Sequence, residues 1–164
     1  MGLDLSLYRV AKGADIEVDW GNMKELSYGR KTWTIYYKFK ELGAQPLEQD
    51  DDSVLVVTPL IYERFINSIL EAMSELNLTP KKLKKALKVI QKWNLSDTEE
   101  QFEDNNRVVK SAFHVTNFLS TWSDVSTQLG TEWEVTAILK WLEDKDKVRA
   151  AFEEGFDVIL VASY

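Results

Sequence analysis

The first twenty residues, MGLDLSLYRVAKGADIEVDW, alternate so regularly between apolar and polar side chains that they constrain the fold more than any other stretch. Neighbouring side chains of a strand point to opposite faces. With Lys12 and Gly13 as a two-residue turn, Gly13 supplying the positive φ that such turns require, Arg9 falls opposite Ile16, Leu7 opposite Val18 and Leu5 opposite Trp20. Leu3 joins this apolar face, and the other face carries Asp4, Ser6, Tyr8, Asp15, Glu17 and Asp19. A slip of one residue would set leucines against carboxylates, so the pattern predicts a β-hairpin with a self-specified register. One of its faces calls for a core, the other for water or a cationic partner.

Composition narrows what such a hairpin can belong to. A chain of 164 residues is expected to be a single α+β domain, 1–164, large enough to bury a core without covalent staples. Cysteine is absent, which removes disulfides, thiolate catalysis and cysteine zinc sites together. No basic leader precedes an apolar run, and no apolar stretch reaches the roughly 18 residues of a membrane span, so a cytoplasmic protein with no membrane partner is expected. The formal charge of −7 opposes generic binding to a phosphate backbone.

The segment 24–42 supports two readings. Trp33, Ile35, Tyr37 and Phe39 alternate as in a strand; Ile35, Phe39 and Leu42 also form a helical stripe, with Leu26, Trp33 and Tyr36 beside it and Gly43 at the C-cap position. The opening MGLDLSLY, followed by ELSYGRKTW, resembles a family of uncharacterised bacteriophage and prophage proteins that begin MGLDMYLY, continue with a YWRKANAIHKWF-type helix and close on a short aromatic strand. Met1 to Tyr8 match most of the first motif, and Tyr28, Arg30, Lys31, Ile35 and Phe39 match the second. The closing GFDVILVASY matches the third. Gly29 stands in place of the family's tryptophan and Tyr36 in place of its histidine, and the Gly-Phe-rich segment that usually follows is missing. The resemblance implies helix over 24–42 and a bacterial host cytoplasm; it brings no catalytic residues.

Residues 44–53, with a proline and three successive aspartates, read as an exposed loop. The aspartates lack the alternate spacing, glycine and distal glutamate of a calcium loop. A short strand, 54–57, then runs into Thr58-Pro59, an N-cap followed by a first-turn proline. Ile61, Phe65, Ile69, Met73 and Leu76 give the stripe of the helix that follows. The cap recurs at Thr79-Pro80, opening a helix whose apolar side is Leu83, Ala86, Leu87, Ile90 and Trp93 and whose remaining surface holds six lysines.

Residues 105–129 read as the longest helix, with a strand as the competitor. Val108, Ala112, Val115, Leu119, Trp122 and Leu129 form its stripe, broadened by Phe113 and Phe118. Thr131 and Glu134 form a capping box for a helix burying Trp133, Ala137, Ile138, Trp141 and Leu142. A short helix with Val148, Ala151 and Phe152 inward ends at Gly155. The closing strand, 156–162, alternates little and is expected at the centre of a sheet. The sum is a small, mostly antiparallel sheet of N-terminal hairpin, strand 54–57 and C-terminal strand, packed against five to six helices.

Reaction machinery is hard to find. There is no phosphate-binding Gly-rich loop, no G-x-S-x-G and no H-E-x-x-H. The single histidine, His114, sits on a helix flank without a catalytic or metal partner nearby in sequence. No cofactor, metal site or catalytic residue is expected. The favoured function is stoichiometric binding of a protein with a basic surface, through Asp4, Tyr8, Asp15, Glu17 and Asp19. By the phage resemblance, the target would be a host or defence protein, as for an anti-CRISPR-like inhibitor. Two other classes stay open: a metal-dependent hydrolase or nuclease using the acidic strand face, and a nucleic-acid-binding module using the lysine helix, although the bland role of those lysines is to solubilise it.

Overall fold

The computed structural model describes residues 3–13, 23–30, 32–95, 105–123 and 131–163. Within them the chain runs β1 (Asp4–Val10), β2 (Lys24–Gly29), α1 (Trp33–Glu41), β3 (Gln45–Glu48), β4 (Asp51–Val57), α2 (Pro59–Glu75), α3 (Pro80–Leu95), α4 (Asn105–Trp122), α5 (Thr131–Glu143), α6 (Lys145–Glu153) and β5 (Asp157–Ser163). The strands form one antiparallel sheet in the order β2-β1-β5-β4-β3, and the architecture is α+β.

Alternation in β1 sorts its side chains as the sequence demands: Leu3, Leu5 and Leu7 are fully buried, while Asp4, Ser6 and Tyr8 are half-buried. The partner strands differ from the expected hairpin. Leu7 stands opposite Ser27 of β2 and Leu160 of β5, and Leu5 opposite Gly29 and Ala162, so both edges of β1 are taken by these two strands. Val18 and Trp20 of the expected hairpin lie outside the described residues. Gly13 does adopt a positive φ, 76°. β2 had no strand signature because α5 lies against its inner side and a bulge at Leu26 breaks the alternation: the inward residues facing Leu7 and Leu5 are Ser27 and Gly29, and an added Cβ on Gly29 would stand 3.0 Å from the Ala137 Cβ. Small residues replace the large ones that betray a strand.

Segment 24–42 is therefore divided, with the helical reading holding over Trp33–Glu41 and failing over Lys24–Gly29. The helix buries Ile35, Tyr36 and Phe39. Gly43 at φ 106° lets the chain turn back at its end, where the Ala44 N–H donates to the Phe39 carbonyl at 2.9 Å. The expected loop 44–53 instead holds β3 and the start of β4. Gln45 pairs with Val56, and Pro46, on an edge strand where a missing donor costs little, pairs with Leu55. At the turn, the Asp51 carboxylate accepts from the Ser53 backbone N–H and hydroxyl, which holds its carboxyl below the usual range.

Both Thr-Pro caps form: Thr58 Oγ1 accepts from the Ile61 N–H and Thr79 Oγ1 from the Lys82 N–H, each at 3.2 Å. Residues 105–122 are helical, as favoured over strand, and bury Val115, Phe118, Leu119 and Trp122, but the helix ends at Trp122, short of the expected 129, and Leu129 lies outside the described residues. Phe113 points outward, 65% exposed, because α4 packs on α2, α3 and α5 from one side only. Trp133 is likewise half exposed, with the Arg30 guanidinium 5.9 Å from its ring centroid. Glu134 reaches out to another helix: it is buried, and its Oε1 accepts from the Thr34 N–H at 3.3 Å. It thereby supplies the negative charge that the first turn of α1 lacks. At the α5–α6 junction the buried Asp144 accepts from the Ser27 hydroxyl at 2.9 Å and pairs with Lys140 at 3.2 Å and Lys147 at 3.5 Å, tying β2 to both helices. The helices cover the sheet face that carries Leu3, Leu5, Leu7, Leu55, Val57, Val158 and Leu160.

α6 is fastened to α2 by Arg149, whose Nε and Nη2 donate to the two carboxylate oxygens of Glu63 at 2.8 and 3.0 Å. These bonds hold the Glu63 carboxyl below its ordinary range. Replacing Arg149 with methionine should return it there, as followed by NMR titration of the side-chain carboxyl. Both side chains are about two-fifths exposed, at 38% and 43%, so the loss of stability at neutral pH should stay below about 1 kcal/mol. Because the folded pKa is the depressed one, this contribution is present above the unfolded carboxylate pKa and fades as pH falls through the folded value.

Candidate functional site: the open face of the sheet

Residues of β1, β5 and β4 that point away from the helices form rungs across the sheet. Tyr28, Ser6, Val161 and Val54 make one rung; Glu25, Tyr8, Ile159, Val56 and Gln45 make the next. None of these belongs to the core cluster beneath the helices. A bulge between Leu7 and Tyr8 lets Leu26 turn inward while Glu25 stays outward opposite Tyr8. At strand spacing of about 4.8 Å, a five-strand rung spans about 19 Å.

Val10 and Ile159 on this side are buried, at 6% and 1% exposure, and Val54, Val56 and Val161 are half-buried, so its accessible part is mainly the aromatic flank, with Tyr28 at 41% exposure beside Tyr8. Its charged strand residues are acidic, and Arg30, just beyond β2, is the cation near enough to Tyr28 to act on its hydroxyl. Asp4, Glu25 and Asp157 point outward here, whereas among the described strand residues Arg9 and Lys24 pair with each other on the opposite side. The Tyr28 hydroxyl donates to Asp4 Oδ2 at 3.0 Å. Partial desolvation, and then this bond and the charge of Asp4, push the phenol pKa above its ordinary value. The carboxylate is thereby oriented beside an aromatic ring, an arrangement that can receive a guanidinium or ammonium group.

Of the residues chosen from sequence, Asp4 and Tyr8 come together on this face, and Asp15, Glu17 and Asp19 lie outside the described residues. Tyr28, Glu25 and Asp157 were missed. The first two fell in the segment read as helix, and Asp157 is placed opposite Val10 only by the β1–β5 register. His114 is half-buried on the flank of α4. Among the described residues no three His, Asp or Glu side chains gather as a metal would need, and no helix is long and apolar enough to cross a membrane. The lysine helix α3 packs on α4 and α5, remote from this face. No protein-family model, curated protein or solved structure matches the chain.

Proposed function

We propose that the protein acts by stoichiometric binding of another protein through the open sheet face, and that the complementary surface is basic. The observation that supports this reading is the acidic charge of Asp4, Glu25 and Asp157 around Tyr8, Tyr28 and the half-buried valines. Aromatic and aliphatic contact supplies affinity, whereas the surrounding carboxylates steer a cationic partner and speed encounter. Asp15, Glu17 and Asp19 lie outside the described residues and carry no part of this reading. The finer form of the reading, a phage-borne inhibitor of a host or defence protein, rests on the resemblance of the N-terminal motifs.

The test is a quantitative pull-down from a bacterial lysate, followed by binding kinetics on the captured partner. A Tyr8→Ala, Tyr28→Ala variant should weaken affinity about thirtyfold or more, mainly through faster dissociation. An Asp4→Lys, Glu25→Lys, Asp157→Lys variant should mainly slow association and flatten its salt dependence. Both are checked for wild-type circular dichroism. Capture of the same partner with unchanged kinetics by both variants would refute the face.

A further inference from the structure

Positive charge gathers on the helical side of the molecule. Lys81, Lys84 and Lys88 recur at intervals of three and four along α3 and so share one side of it, and Lys140 and Lys145 approach them from α5 and the start of α6. Between the two helices run two adjoining hollows of ≈ 300 and ≈ 340 Å³ that share Lys84, Leu139 and Glu143. Their floor is aliphatic: Leu87, Leu139 and Leu142 line it at 5%, 3% and 6% exposure. Glu143, the one carboxylate in the lining, is already bonded to the Lys84 ammonium. Among the described residues, no carboxylate lies within ion-pair reach of Lys81, Lys88 or Lys145.

We propose that this groove docks an acidic amphipathic helix of a partner protein, with leucine-type anchors on the Leu87–Leu139–Leu142 floor and carboxylates against the lysine rim. Three features select that occupant. The uncompensated charge is cationic in a protein whose net charge is −7, so complementarity favours an acidic ligand here and nowhere on the open sheet face. From Pro80 to Gln91 the groove follows α3 for about 17 Å at 1.5 Å per residue, the length of three helical turns, which is how helix-in-groove recognition reads anchors at i, i+3 and i+7. The floor offers aliphatic side chains and no aromatic ring, so the bases of a nucleic-acid strand would have nothing to stack on. The site is independent of the sheet face, and either can fail without the other.

The experiment measures fluorescence anisotropy of a labelled model helix, leucine at i, i+3, i+4 and i+7 and glutamate elsewhere, titrated with the whole protein at physiological salt. Saturable binding is expected, weakened at least about tenfold by Lys81→Glu, Lys88→Glu, Lys145→Glu, whose exposed or rim positions leave the fold intact by circular dichroism. Leu87→Ala should weaken it too, and a peptide of equal charge with its leucines scrambled should bind no better than the triple variant. Absence of binding up to about 1 mM would overturn the proposal. So would equal binding of the scrambled peptide, which would reduce the groove to a generic cationic patch. A single-stranded oligonucleotide that binds more tightly than the helix, and is lost in the triple variant, would also overturn it in favour of a phosphate-backbone ligand.

Discussion

Phe65→Ala is expected to lower the free energy of unfolding by about 4 kcal/mol, read as a fall in the urea midpoint at unchanged slope. Phe65 of α2 is fully buried where four helices meet. It stacks on Phe39 of α1, centroids 4.3 Å apart and planes at 21°, and stands edge-on to Trp122 of α4 at 6.0 Å and to Trp141 of α5 at 6.1 Å. Truncation removes the transfer energy of a whole ring, leaves a cavity walled by rigid aromatics that cannot collapse into it, and cancels aromatic pairings worth about 0.5–1.5 kcal/mol each. Against a total stability of about 5–15 kcal/mol, this is about a quarter of the fold or more. The comparison is Phe113→Ala on α4, where the ring is 65% exposed and the change should stay within about 0.5 kcal/mol. Similar losses from the two would contradict the packing described for α4.

The contrast between these phenylalanines shows what a sequence pattern carries and what it omits. Periodicity marks a helix and the centre of its stripe, as Val115, Leu119 and Trp122 do in α4. The width of the stripe depends on how many neighbours surround the helix, and no residue of α4 encodes that; Phe113 was assigned inward for this reason. Caps are local chemistry and were legible, since Thr58 and Thr79 each need only a backbone N–H three residues away. Strand faces are local as well, which is why Asp4 and Tyr8 were placed together. Strand partners are not. The alternation of residues 15–20 offered a match for β1, but β1 pairs with a strand whose residues facing Leu7 and Leu5 are serine and glycine and with another far along the chain. The central place of β5 was legible from its nearly continuous apolar run, because burial needs no knowledge of which strands do the covering.

Gly29, the residue that hid β2, carries the second large effect: Gly29→Val should cost about 3 kcal/mol. Its φ is not in the left-handed region, so the penalty is steric and not conformational. A Cβ placed there would stand 3.0 Å from the Ala137 Cβ, 3.0 Å from the Thr32 Cγ2 and 3.1 Å from the Trp141 Nε1. The Thr32 methyl belongs to a buried side chain whose hydroxyl bonds the Leu3 and Gly29 carbonyls, the Ala137 Cβ is fixed to the backbone of α5 and the Trp141 ring is held among Phe39 and Phe65. Alanine at this position needs these neighbours to yield by a few tenths of an ångström, and they are held, so Gly29→Ala should also destabilise, by about 1 kcal/mol and less than valine. Valine adds two methyl groups beyond that Cβ, and β2 and α5 must then separate. Adding Ala137→Gly opens space at the most rigid of the three contacts. Although that change alone should cost about 1 kcal/mol in a helix interior, the double variant should be more stable than the sum of the two by about 1 kcal/mol. Strict additivity in this cycle would mean that α5 does not rest on β2. It would also remove the contact that sets the inner side of β2, and with it the reason Tyr28 faces outward beside Asp4.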